Sequence, residues 1–288
     1  MTQFLLKAEK KIKKLFLSTI KTHTSFSGRI GNGLKMIINW NDPADRAFYL
    51  KEFDNTILAL IKRHVKNGDV TIDCGAQKGY VSLHLAQAVG ATGKVYAFEP
   101  DWRSSALLRE NIKINKMDNI LIRELALGDK EENTEFFLSS QLGWSTRYPN
   151  EAASKTITQA VVVQVKTLDK IFAEESVALR KKQLSLIKID CEGSEERVLR
   201  GMEVTLKKNS PLIWMEINKR SLSKAGTSKE AIVSLLSSFG YQVAIPQIKY
   251  TRFGRARFFA TLSQKLPDEE LFDIIAAKKE TLATVSCF

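Results

Sequence analysis

Two short stretches carry residue types that could hold a nucleoside. Asp73-Cys-Gly-Ala-Gln-Lys-Gly79 closes the apolar run that begins at Val70, and Glu99 ends a second run, Lys94-Val-Tyr-Ala-Phe, just before Pro100. Glycines at such a strand end let the chain turn sharply and let a ligand meet the backbone without side chains in the way. A lone acid closing the next strand is placed to accept from both hydroxyls of a ribose. The spacing is D-x-G-x-x-x-G, whereas dinucleotide sites favour G-x-G-x-x-G, whose second glycine makes room for a pyrophosphate. The pair of motifs therefore reads as a site for S-adenosylmethionine and not for NAD.

A second constellation is Lys188-Ile-Asp190-Cys-Glu192-Gly193, where an apolar strand ends in two carboxylates and a glycine. Ligands of open α/β sheets bind outside the carboxyl ends of strands, so Asp190 and Glu192 are expected to face the same crevice as Gly75 and Glu99. There a carboxylate could take a proton from an acceptor hydroxyl, with Glu192 the first candidate, or it could cap the helix that follows. Glu216 and Asn218 end the next strand. With Asp190 and Glu192 they form an oxygen-rich set that allows a divalent ion, although the expected chemistry does not need one. His23, His64 and His84 are scattered and match no zinc spacing. Asparagine-Pro-Pro-Tyr, the tetrapeptide expected of enzymes that methylate nucleobase amines, does not occur.

The elements that must position these residues follow from periodicity. Strand and helix patterns alternate from Asp45 onward: a helix over Asp45–Lys66, strands ending at Asp73 and Glu99, helices between them, and a third strand over Ile120–Leu127. Such alternation predicts a parallel sheet covered by helices on both faces. Two strands around a polar excursion, Ser139–Thr158, interrupt the rhythm. Trp144, Ser145 and Tyr148 within it could stack on and bond a sugar, or simply pin the loop. The alternation resumes with strands at Leu184–Ile189 and Pro211–Ile217, helices over Glu195–Lys208 and Lys229–Phe239, and two further strands. Leu271, Phe272, Ile274 and Ile275 fall at helical spacing and predict a tail helix over Asp268–Lys279.

The chain has 288 residues, 44% of them hydrophobic, enough for one α/β domain with extensions. The division expected is a basic extension over 1–44, a catalytic domain over 45–262 and a helical tail over 263–288. Half of the net charge of +12 lies in the first 30 residues. Leu5, Ala8, Ile12, Leu15, Phe16 and Ile20 would there form one apolar stripe flanked by lysines. Such a helix could pack on the domain, on a second copy of the chain or on an anionic membrane surface. The basic and aromatic residues of 246–257 read as a solvated hairpin loop, and a nucleic-acid partner is not expected. Three cysteines make no disulfide framework, and no long apolar segment or signal peptide is evident, so a cytoplasmic protein is expected.

Taken together, Ile72-Asp-Cys-Gly-Ala-Gln-Lys-Gly-Tyr80, Ala97-Phe-Glu-Pro100, Asn111, Ala126-Leu-Gly-Asp129, Thr167-Leu-Asp169, Ile187-Lys-Ile-Asp-Cys-Glu-Gly-Ser-Glu195 and Glu216 resemble the FkbM-type methyltransferases. Gln77, where that family usually has asparagine, and the cysteines after both strand-terminal aspartates depart from the pattern. The resemblance implies a Rossmann-like class I methyltransferase fold with a mostly parallel, doubly wound sheet and an antiparallel C-terminal strand. It also implies O-methylation of a small-molecule or glycan hydroxyl from S-adenosylmethionine. Carried over by position, Asp73, Gly75 and Gly79 would line the methionine end of the cofactor, Glu99 its ribose and Glu124 or Ala126 its adenine. Methylation of nucleic acid and a catalytically silent cofactor-binding module are the alternatives.

Overall fold

The computed structural model describes residues 25–53, 56–175, 183–250, 256–262 and 266–286. The basic stripe expected over residues 5–20 lies outside them. A hairpin, β1 (Ser25–Gly31) and β2 (Leu34–Asn39), leads into α1 (Pro43–Leu50) and α2 (Thr56–His64). One helix was expected over 45–66, but Lys51 takes a left-handed conformation, φ 57°, and closes α1. Then come β3 (Val70–Cys74), α3 (Tyr80–Val89), β4 (Lys94–Phe98), α4 (Trp102–Asn115) and β5 (Ile120–Arg123).

At Glu124 the chain leaves this sheet, so the strand expected over 120–127 is split. The next piece, β6 (Ala126–Leu127), joins β7 (Glu132–Ser139) and β8 (Ile157–Lys166) in a separate three-stranded sheet, with α5 (Glu151–Ser154) in the excursion between β7 and β8. After α6 (Leu168–Glu174) the main sheet resumes with β9 (Leu184–Ile189). Two helices, α7 (Glu195–Arg200) and α8 (Glu203–Asn209), replace the single one expected. They part at Gly201, where any Cβ would lie 1.8 Å from the carbonyl oxygen of Gly128. The chain continues through β10 (Leu212–Asn218), α9 (Lys219–Lys224), α10 (Lys229–Ser238), β11 (Gln242–Tyr250), β12 (Ala256–Leu262), β13 (Leu271–Ala277) and α11 (Lys279–Ser286).

The tail helix expected over Asp268–Lys279 is instead a strand for most of its length. β13 runs antiparallel between β10 and β11, pairing Glu216 with Asp273 and Val243 with Ala276. A short apolar run has no period that separates helix from strand, and here the open edges of β10 and β11 decide. The eight-stranded order is β12-β11-β13-β10-β9-β3-β4-β5. The pairs of β3 with β4, β4 with β5, β3 with β9 and β9 with β10 are parallel, and β13 and β12 are antiparallel to their neighbours. From β3 the winding goes outward one way through β4 and β5 and the other way through β9 and β10. The topological switch point therefore falls between β3 and β9, where such sheets bind ligands.

Apolar cores cover both faces. Side chains alternate along β10, with Trp214 in the core beneath α1 to α3 and Ile213 and Met215 in the core beneath α6 to α8 and α10. Strands buried on both faces read as continuous apolar runs, which is why Val70–Cys74 and Leu184–Ile189 stand out in the sequence.

Candidate functional site

At the switch point the loops after β3 and β9 touch. Gly75 has φ 76°, and a Cβ there would lie 1.9 Å from the Asp190 carbonyl oxygen, so only glycine lets the two strand ends approach this closely. Beneath them Lys188 is buried and donates to the Gly75 carbonyl oxygen at 2.8 Å. Its Nζ lies 3.1 Å from Asp190 and 3.5 Å from Asp73. Burial alone would lower Lys188, but the charges of Asp190 and Asp73 outweigh it and hold the ammonium well above its usual range. Lys188 was passed over as one residue of a strand. A cation in a strand buried on both faces is the signal the sequence holds for it.

Asp73 does not line the crevice. Its side chain is fully buried and accepts from the Ser82 hydroxyl at 2.6 Å, tying β3 to α3. Gly79 also lies off the wall, where a Cβ would meet Leu108 Cδ1 at 2.2 Å, so it serves the packing of α3 on α4. Of the three positions expected at the methionine end, Asp73 and Gly79 lie off the cavity wall, while Gly75 lies on it beside Cys74, Ala76 and Gln77.

Glu99 stands where the second strand ends, one oxygen accepting from Gln77 N–H and the other from Asp101 N–H, both at 2.8 Å. Burial pushes its carboxyl up to about 7, against these two hydrogen bonds. Ala126 lines the cavity beside Leu125 and Leu127, an apolar edge suited to a flat base. Glu124 does not. Its carboxylate turns outward to accept from Ser105 and Arg109, because the chain reverses side as it leaves β5.

The polar excursion between β7 and β8 lies against this crevice, and Gly143, Trp144, Ser145 and Thr146 form part of the cavity wall. Trp144 is 45% exposed. Ser145 lines the cavity but its hydroxyl is engaged, donating to Asp101 at 2.8 Å and accepting from Ser139 N–H at 3.1 Å. Tyr148 is not on the wall, and its ring lies under the Arg147 guanidinium, 5.5 Å from Cζ to the ring centre. Arg103 completes a clasp that sequence reasoning missed, reaching Asp101 and the Ser139 carbonyl at once.

Across the crevice from Glu99, Asp190, Glu192 and Glu216 bring carboxylate oxygens within 4.8 Å of one another, the one such trio of metal-ligating type among the described residues. Glu192 takes a left-handed conformation, φ 48°, which its neighbours hold: Thr146 donates to its carbonyl oxygen at 2.8 Å and the Ser221 hydroxyl to its carboxylate at 3.3 Å. Burial first, then the charges of Asp190 and Glu195, push Glu192 up to about 8. The charge of Asp190 first, then burial, Glu192 and Asp273, push Glu216 up to about 9. Asp273 reached this set only because β13 is a strand. Asn218 lines the cavity at the end of β10 and caps α9 by accepting from Ser221 N–H. The helix after β9 starts from Ser194 with no side-chain cap, and Glu195 in its first turn braces the loop before it by accepting from Cys191 and Gly193 N–H.

One cavity of about 970 Å³ joins Gly75, Glu99, Ala126, Trp144, Glu192 and Glu216. Single-ligand pockets run from roughly 300 to 1,000 Å³, so the space is ample for a nucleoside cofactor with an acceptor beside it. The residues fit S-adenosylmethionine: a glycine cradle that a Cβ would fill, a pinned acid for a ribose, and an apolar edge for adenine. Fold and site together define a nucleoside-cofactor transferase of the Rossmann-like class I type. The family model for the methyltransferase FkbM domain matches residues 73–243, and the chain belongs to this family of S-adenosylmethionine-dependent methyltransferases. It is 26% identical over 194 residues to the 2-O-methyltransferase NoeI of Sinorhizobium fredii, covering 63% of this chain and 76% of that one. Among solved structures it is similar to the methyltransferase FkbM of Methylobacillus flagellatus, with 14% identity, TM-score 0.43, and 81% of this chain and 54% of that one covered. A precorrin-6y C5,15-methyltransferase from Geobacter metallireducens gives 16% identity and TM-score 0.42, over 77% of this chain and 88% of that one.

Proposed function

We propose that this enzyme methylates a hydroxyl oxygen of a sugar or natural-product acceptor, with Glu192 as the proton acceptor. The observation that carries the proposal is the left-handed Glu192, held from both its carbonyl and its carboxyl ends at the mouth of β9. Its carboxyl, pushed up to about 8 by burial and by the charges of Asp190 and Glu195, holds a proton strongly, so it works as a base in its deprotonated form and activity should rise as pH approaches 8. NoeI, described as a 2-O-methyltransferase, supports an oxygen acceptor.

Bound S-adenosylmethionine supplies an electrophilic methyl group on a sulfonium. Glu99 would hold its ribose, Gly75 to Gln77 would follow its methionine end with their backbone, and Leu125 to Leu127 would face its adenine. The protein's own share of catalysis is placement and proton transfer. Positioning two reactants in line supplies much of the rate of such a displacement. Glu192 takes the hydroxyl proton as the oxygen becomes bonded to carbon, while Glu216 and Asn218 lie on the same wall to orient the acceptor. A divalent ion held by Asp190, Glu192 and Glu216 is a second reading, favoured by the spacing of their oxygens. Such an ion would lower the pKa of an acceptor hydroxyl directly.

Formation of S-adenosylhomocysteine is to be followed with free sugars, alkyl glycosides, phenols and a polynucleotide as acceptors, with and without a chelator. Turnover on hydroxyl acceptors that falls 10²-fold to 10⁴-fold in Glu192→Gln, and that persists in chelator, is the expected outcome. Turnover on the polynucleotide alone would refute the proposal. Activity abolished by chelator and restored by magnesium would transfer the carboxylates to the metal reading.

A further inference from the structure

Gln77 is in the left-handed region, with φ 52°. Among side chains other than glycine, the short amides and acids tolerate that conformation best, and a longer side chain gains nothing from it locally. What Gln77 gains is distant. Its Nε2 donates at 2.9 Å to the carbonyl oxygen of Leu142, 65 residues along the chain. The contact is close enough that a Cβ on Gly143, itself at φ 98°, would lie 1.5 Å from Nε2. An asparagine in the same place is one methylene shorter and could not make this bond. The backbone N–H of the same residue donates to Glu99, the ribose acid.

The excursion reached by Gln77 is secured along its length. Arg103 and Asp101 hold Ser139 and Ser145, and Thr146 bonds the carbonyl oxygen of Glu192. Between these two fixed points, Leu142 and Gly143 receive the Gln77 amide. We infer that Gln77 is a positioning residue that latches the Leu142–Thr146 segment as a roof over the adenosyl half of the crevice and so sets how long the cofactor stays bound. The inference rests on the reading of Glu99 as the ribose acid. It also gives the departure at position 77 a physical purpose: the longer amide trades local backbone comfort for a tie between the ribose acid and the roof.

The test measures S-adenosylhomocysteine release by stopped flow, alongside thermal unfolding and hydrogen exchange, in the full chain and in Gln77→Met and Gln77→Asn. Methionine keeps the length and loses the donor, whereas asparagine keeps the amide, gains a left-handed preference and loses the reach. Both variants are expected to release the ligand roughly threefold to tenfold faster, the equivalent of one net hydrogen bond, with faster exchange at Gly143 to Thr146. The asparagine variant is expected to unfold at or above the wild-type temperature, which separates a latch from a merely structural role. Wild-type release rates in both variants would overturn the inference, as would faster release that only tracks a lower unfolding temperature. Failure of the wild-type chain to bind S-adenosylhomocysteine at all would instead refute the cofactor reading beneath it.

Discussion

Replacing Gly75 with alanine tests whether the crevice depends on two strand ends meeting without a side chain between them. Two penalties are separable. A left-handed backbone costs an L-residue roughly 1–2 kcal/mol. The added methyl would also start 1.9 Å from the Asp190 carbonyl oxygen, a backbone atom that cannot swing aside, and overpacking of this kind costs about 1–3 kcal/mol. Gly226 supplies the control, because it has the same φ of 76° with nothing within 4 Å of the Cβ position. Gly226→Ala should therefore show the backbone term alone, and Gly75→Ala should exceed it by about 1–3 kcal/mol. At roughly 2–4 °C per kcal/mol for a domain of this size, the gap is readable by scanning fluorimetry. Calorimetric titration with S-adenosylhomocysteine should find binding lost in Gly75→Ala and retained in Gly226→Ala, since only the first displaces Asp190. Equal shifts in both variants, with binding kept, would refute the reasoning.

Glu99→Ala should weaken S-adenosylhomocysteine binding by about 10-fold to 100-fold, the usual effect of losing a hydrogen-bonded charged group, and calorimetry would show it. The folded protein holds the Glu192 proton to about pH 8, whereas the unfolded chain releases it near 4.5. The stabilisation carried by that proton is thus whole below pH 4.5 and is lost as pH rises through about 8. In chelator, Glu192→Gln should accordingly flatten the fall of unfolding temperature with pH and be the more stable protein near pH 9, by about 1–3 kcal/mol once the burden is shared among the neighbouring acids. A variant curve parallel to the wild type would count against a buried acid. Lys188→Met removes the cation between Asp73 and Asp190 and leaves the Gly75 carbonyl oxygen without its donor; a loss of about 3–5 kcal/mol is expected from denaturant titration, with part of it recovered by adding Asp73→Asn.

The strand-end motifs were legible because their spacing is dictated by local geometry. One crossover helix and one strand separate Asp73 from Glu99, and the same kind of winding places Asp190 and Glu216 at neighbouring strand ends. Side-chain direction was not legible. Asp73, Glu124 and Tyr148 lie close in sequence to groups on the cavity wall, yet each turns to a different partner: Ser82, Arg109 and Arg147. A strand end states which crevice is near, and only packing states which residues face it.

The alternation of apolar runs, the glycines at one turn and the acids at four strand ends were enough to determine an α/β sheet with a nucleoside crevice, because each is a local constraint on backbone and solvent exposure. Tertiary structure decided what depends on distant partners. Leu271–Ala277 is a strand because β10 and β11 leave edges to fill, and through it Asp273 joins Glu216. Lys188 is a buried keystone because Asp73 and Asp190 converge on it from two strands. The reach of Gln77 across 65 residues to Leu142 depends on where the excursion folds back, and no window of sequence contains both ends of that bond.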